Sequence, residues 1–134
     1  MSVVTSNALA GWDHPGAFGP YSPAVRVGQL VFVSAQPGVE PTTNQLPRSL
    51  ETECRQAFHN LARALQTADA SMRDVAKTTV FYVDPQHLPI INAVYAEVFP
   101  VDPPARTAAI VKLAAGRRIV VDAIAVTPRD ERHC

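Results

Sequence analysis

Apolar residues recur with two different periods along this chain, and the switches between periods mark its elements. In "VRVGQLVFVSAQ", Val25 to Gln36, branched apolar residues flank Gly28-Gln29, which predicts two short strands joined by a hairpin turn. Cys54, Ala57, Phe58, Leu61 and Leu65 then repeat every three to four positions, the stripe of a helix with one buried face. Ser49 precedes that stripe as a natural N-cap, and Glu51 and Glu53 favour its first turn. "VAKTTVFYV", Val75 to Val83, is rich in β-branched and aromatic residues and predicts a strand. Leu88, Ile91, Tyr95, Val98 and Phe99 mark a second helical face, with Pro89 confined to its first turn because deeper in it would break the backbone ladder. "ARTAAIVKL" and "IVVDAIAV" predict two last strands, separated by "AAGRR". The Gly/Pro-rich stretch 1–20, the segment Pro37–Arg48 and the tail "TPRDERHC" read as irregular.

The order strand, strand, helix, strand, helix, strand, strand predicts an α+β domain with a mixed sheet and two helices on one face. Its other face is the difficulty. Seven of the eight residues in "IVVDAIAV" are apolar, so both faces of that strand want cover. A homo-oligomer that packs such faces together is the economical solution; an internal strand covered by loops is the alternative.

Composition narrows the function classes. With 134 residues the natural expectation is one domain, and 47% apolar content fits a packed core rather than a disordered chain. Twelve basic and twelve acidic residues cancel, which argues against a broad nucleic-acid or membrane-binding face. Cys54 and Cys134 do not make a disulfide framework, and His14, His59, His87 and His133 share no metal-binding spacing. The N-terminal stretch lacks the charge and apolar run of a signal peptide, and no stretch has the length of a membrane helix. A cytoplasmic protein is the expectation.

One residue breaks the apolar pattern in a chemically telling way. Arg106 stands in "PPARTAAIV" among alanines, a threonine and branched residues. A buried, unpaired guanidinium is very costly. It must therefore reach solvent, pair with an acid of the chain, or await an anion from outside. Its planar fork of donors suits a carboxylate, and its small neighbours leave room for one. Asp122, the only charge in the last strand, is a candidate internal partner, a candidate general base for a water, or a solvent-reaching carboxylate. Tyr21 in "FGPYSPAV" is held in an extended segment by Gly19, Pro20 and Pro23, as a pocket wall or a core anchor. Ser34 is expected at the end of the second strand, and Asn92 on the second helix beside its apolar stripe. No GxSxG elbow and no Gly-rich phosphate loop is present.

"GPYSPAVRVGQLVFVSAQ", "VAKTTVFYVD", "INAVYAEVF", "PPARTAAI" and "VDAIAV" stand in an order that resembles the RidA (YjgF) family of reactive-intermediate deaminases, over roughly Gly19 to Val126. The resemblance implies a single RidA-like domain over residues 1–134 with its core at about 19–126. It implies a chorismate-mutase-like fold assembled as a homotrimer, with pockets between subunits. It also implies hydrolysis of enamines and imines such as 2-aminoacrylate to a 2-keto acid and ammonia, without a cofactor or metal. By the same resemblance Arg106 holds the substrate carboxylate. Tyr21, Ser34, Ala35, Asn92 and Ala108 join it in binding substrate, and Asp122 joins it as a catalytic candidate. Two departures stand out. Val120 occupies the place of the family's water-positioning glutamate, and Ala35 and Ala108 replace its usual glycine and frequent cysteine. The stretch before the last strand is also slightly shortened, and a one-residue slip there would exchange that strand's faces. A non-catalytic trimer that binds small carboxylates or keto acids, and a pathway-specific deaminase or hydrolase, are the alternatives.

Overall fold

The computed structural model describes residues 3–5 and 19–128. Eight strands and helices follow in the order β1 (Val3–Thr5), β2 (Ala24–Val27), β3 (Leu30–Pro37), α1 (Leu50–Thr67), β4 (Val75–Tyr82), α2 (Leu88–Val98), β5 (Ala105–Ile110) and β6 (Ile119–Val126). The expected elements form, with β5 ending at Ile110 where the sequence pattern carried it to Leu113. The short β1 is an addition: residues 1–20 are not wholly irregular, because Val3–Thr5 pairs antiparallel with β2. Expectations for residues 6–18 and 129–134, including His14, His133 and Cys134, lie outside the described residues.

The six strands form one sheet in the order β1-β2-β3-β6-β4-β5. Gly28, at φ 61, takes the first place of the two-residue β2–β3 turn, a conformation that glycine adopts without steric cost. β6 inserts between β3 and β4, antiparallel to both, so β3 and β4 run parallel; β4 and β5 are parallel neighbours. Each parallel step carries a helical crossover and both steps move the same way across the sheet. Crossovers of one hand therefore lay α1 and α2 on the same face.

Between helices and sheet lies one core, built from Leu61, Leu65, Ile91, Val31, Val80, Val121 and their neighbours, all essentially inaccessible. Burying each large side chain contributes roughly 1.5–3 kcal/mol. The whole predicted α1 stripe is in this core. Ser49 caps α1 as expected, its hydroxyl accepting from the Thr52 N–H at 3.0 Å.

Glu53 does more than favour a helix dipole. It is fully buried, and its carboxylate receives the Arg118 Nε at 2.5 Å and the Arg118 N–H at 2.8 Å. Arg118 also donates to the carbonyls of Pro47 and Arg48, so this pair fastens the long loop and the start of β6 to α1. Gly38 makes the packing feasible: a Cβ there would stand 2.1 Å from the Glu53 carbonyl oxygen. Buried Asn60 adds two bonds, to the carbonyls of Pro37 (2.8 Å) and Val39 (2.9 Å).

Among the described residues the other sheet face carries no helix. Leu30 pairs with Val126 and Phe32 with Ile124 in register, and all four are exposed, at 39, 47, 41 and 37%. β5, the edge strand, is exposed along almost all its length.

Candidate functional site

The parallel register of β4 and β5 decides where Arg106 points. It sits opposite Thr78, which is buried against the helices, so Arg106 projects to the helix-bearing side of the sheet edge. Asn92 and Tyr95, one turn apart on α2, meet it there. Arg106 Nη1 donates to Asn92 Oδ1 at 2.9 Å, and the guanidinium carbon lies 4.8 Å from the Tyr95 ring centre. That distance is within cation–π range.

The platform under the guanidinium is itself fixed. Tyr95 packs edge-on to Phe58 at 5.6 Å and against Phe99 at 4.9 Å. Its hydroxyl shares a buried 2.7 Å hydrogen bond with Thr78 Oγ1. Arg106 thus spends one donor on a neutral amide and rests on a clamped ring. Among the described residues no carboxylate lies within 4.0 Å of it. The residue is exposed, and no acid among the described residues cancels its charge.

Asp122 is not Arg106's internal partner. The β4–β6 register sets Asp122 opposite Thr79, on the face away from the helices, while Val121 faces the core. Its Oδ1 accepts the Thr79 N–H at 3.1 Å. Val120 and Asp122, two positions apart on β6, lie together on that outer face. Ala108, two positions beyond Arg106, shares the helix-side row of β5 opposite Val80.

Ser34 does not end its strand, which runs on to Pro37. Ser34 and Ala35 form a bulge, since Val33 pairs with Ala123 and Gln36 with Val121, so both stand opposite Asp122. The Ser34 N–H donates to Pro23 O at 2.9 Å and its hydroxyl to Ser22 O at 2.7 Å. These bonds hold the Tyr21 segment against β3, and Tyr21 itself is half exposed. Gln36 Nε2 donates to the Ser34 carbonyl at 3.1 Å.

The seven candidate residues thus fall into two clusters. Arg106, Asn92 and Ala108 lie at the β5 edge on the helix side. Tyr21, Ser34, Ala35 and Asp122 lie toward β2 and β3. Three strand spacings, about 14 Å, separate the β3 bulge from β5. Sequence reasoning missed Tyr95 as a partner of Arg106, because its apolar-stripe position signalled core alone; its one-turn spacing from Asn92 was the available clue. It also missed Arg117, which precedes β6 close to Tyr21. Burial pushes that guanidinium below its ordinary value, and the Tyr21 phenol works in the opposite direction. Among the described residues no three His, Cys, Asp or Glu side chains are placed to share a metal ion. No described helix is long and apolar enough to cross a membrane.

Comparison with known proteins identifies the family. The Endoribonuclease L-PSP family model matches residues 12–127. The chain belongs to this family, the RidA (YjgF) family. It is 35% identical over 128 residues to the 2-iminobutanoate/2-iminopropanoate deaminase of Mus musculus, covering 94% of this chain and 95% of that protein. The human protein of the same name is 34% identical over 94% of this chain and 93% of its own length. Among solved structures, the E. coli YjgF gene product superposes with a TM-score of 0.81 at 31% identity, over 87% of this chain and 94% of that one. E. coli TdcF with bound serine gives 0.81 at 30% identity, over 94% and 98%. In this RidA-family chain the position of the expected glutamate, Val120, is apolar and buried.

Proposed function

We propose that this chain hydrolyses enamine and imine intermediates of the 2-aminoacrylate type to a 2-keto acid and ammonia, with Arg106 clamping the substrate carboxylate. The observation that carries this reading is the uncompensated guanidinium of Arg106, held by Asn92 on the Tyr95 ring. Its remaining donors suit a carboxylate bound by two parallel bonds. Fixing that carboxylate orients the adjacent C=N bond and converts part of the entropic barrier into binding. Water adds to the imine carbon, the carbon–nitrogen bond of the resulting carbinolamine breaks, and ammonia leaves with the proton it has taken up. The names of the mouse and human relatives support the reaction class.

The two clusters are complementary halves on this reading. A neighbouring copy brings its Tyr21, Ser34, Ala35 and Asp122 to the Arg106 edge, and a homotrimer does so three times over. The exposed apolar group Leu30, Phe32, Ile124 and Val126 supplies the surface such an assembly needs to bury. Asp122 or a backbone carbonyl holds the attacking water in place of the absent glutamate.

The test generates 2-aminoacrylate in situ with a dehydratase and follows the semicarbazone formed by trapping. Wild type diverts the imine from the trap; Arg106→Ala behaves as buffer alone. Equal diversion by the two proteins removes the reading. Val120 favours one competing reading, a non-catalytic trimer that binds small keto acids. Saturable binding of 2-ketobutyrate in calorimetry with no imine diversion selects that alternative. RNA cleavage, which the family's name suggests, fits poorly with zero net charge and the absence of an aromatic–basic array.

A further inference from the structure

A cavity of about 400 Å³, not lined by Arg106, opens between the turn Met72–Asp74 and the C-terminal end of α2. Met72, Val75, Val98 and Phe99 supply apolar walls, and Arg73 and Asp102 bring opposite charges to the same space. Both residues are exposed. Among the described residues Arg73 has no carboxylate within 4.0 Å and Asp102 no cation, so the two do not pair with each other.

The loop that carries Asp102 is stiff. Pro100, Pro103 and Pro104 surround it, each with a fixed φ, and Asp102 itself holds φ 47, a left-handed conformation that aspartate tolerates better than most residues. The backbone that carries the carboxylate is therefore restricted before any ligand arrives, which lowers the ordering cost of binding. The cavity lies at the low end of the range for small-molecule sites, about 300–1,000 Å³. That suits one small metabolite rather than a nucleotide cofactor.

We propose that this cavity binds a free α-amino acid with an apolar side chain. The ligand carboxylate meets Arg73, its ammonium meets Asp102, and its side chain lies against Met72, Val75, Val98 and Phe99. A zwitterion satisfies both separated charges at once, which neither a simple acid nor a simple amine does. The assignment stands independently of the imine reading. Phe99 nevertheless links the two places, since its ring contacts Tyr95, on which Arg106 rests.

Calorimetry of the full chain with L-leucine as probe tests the proposal. Saturable one-site binding is expected. Arg73→Gln and Asp102→Asn should each weaken it about tenfold, the loss of one charge-assisted bond. Leucinamide, which lacks the carboxylate, and 4-methylpentanoate, which lacks the ammonium, should bind wild type about tenfold more weakly for the same reason. Arg106→Ala should weaken leucine binding less than Arg73→Gln does, because Arg106 does not line this cavity. Asparagine tolerates the left-handed backbone, so Asp102→Asn preserves the loop. Amide chemical-shift changes on wild type, clustered at Arg73, Phe99 and Asp102, give a readout that needs no variant. No saturable heat at millimolar leucine overturns the proposal. So does binding lost in Arg106→Ala but intact in Arg73→Gln, equal affinity for 4-methylpentanoate, or shifts confined to the Asn92–Arg106 surface.

Discussion

Arg118 and Arg106 are the same side chain put to opposite uses. Arg118 meets the fully buried carboxylate of Glu53 and two loop carbonyls, all from its own chain. Arg106 meets one amide oxygen and a ring face, and among the described residues no acid. The first guanidinium closes an internal account of charge and so fixes the fold. The second is oriented by Asn92 and the Tyr95 ring and has no acidic partner among the described residues, which is the feature the proposed anion clamp rests on. The two differ in whether an acid of the same chain meets the guanidinium, as Glu53 meets Arg118.

The sharpest way to break this contrast is to remove each arginine in turn and measure both stability and activity. Arg118→Ala strands the Glu53 carboxylate in the core, a change that typically costs about 3–5 kcal/mol. The lower end is expected here, because the residue-118 N–H still reaches Glu53, and denaturant unfolding reads the loss. Arg106→Ala should leave unfolding within about 0.5 kcal/mol of wild type, as exposed substitutions do. It should nevertheless cost about 100-fold or more in imine diversion or keto-acid affinity, the scale of a charged clamp. A large stability loss in Arg106→Ala would erase the distinction.

The ring beneath Arg106 gives the next largest effect. Tyr95→Phe removes the hydroxyl partner of Thr78 and should destabilise by about 1–2 kcal/mol. Activity should fall less than in Arg106→Ala, because the ring face survives. Asn92→Ala should leave stability nearly unchanged and weaken carboxylate binding by about tenfold through looser orientation. Separate stability and binding measurements on the two variants check that division.

The smallest effect concerns Cys54, on the core face of α1. Burial, with Glu53 beside it, pushes its thiol up to about 12. The thiol therefore stays protonated in the native state while the unfolded chain ionises near its ordinary value of 9.0. The unfolded state then binds fewer protons, so this contribution is intact below that value and is lost as pH rises toward 12. Between about pH 9 and about pH 10 wild type should lose about 1 kcal/mol more than Cys54→Ala, measured by denaturant unfolding at each pH. Parallel pH profiles would show that the thiol does not couple to folding.

The sequence by itself determined the elements whose signals are local. The α1 stripe, the Ser49 cap, the Gly28 turn and the early Pro89 each depend on a few adjacent residues, and each sits where expected. It also singled out Arg106 and Asn92, because a cation in an apolar strand and the family's motif order are both written along the chain. Only the tertiary structure decided what depends on register and on packing between distant segments. It set Asp122 and Arg106 on opposite faces, made Ser34-Ala35 a bulge rather than a strand end, and turned Glu53 from a helix-dipole acid into the counter-ion of Arg118. The reason is physical. Side chains alternate faces residue by residue along a strand, so a single bulge or deletion reverses which charges can meet, and no local pattern announces it.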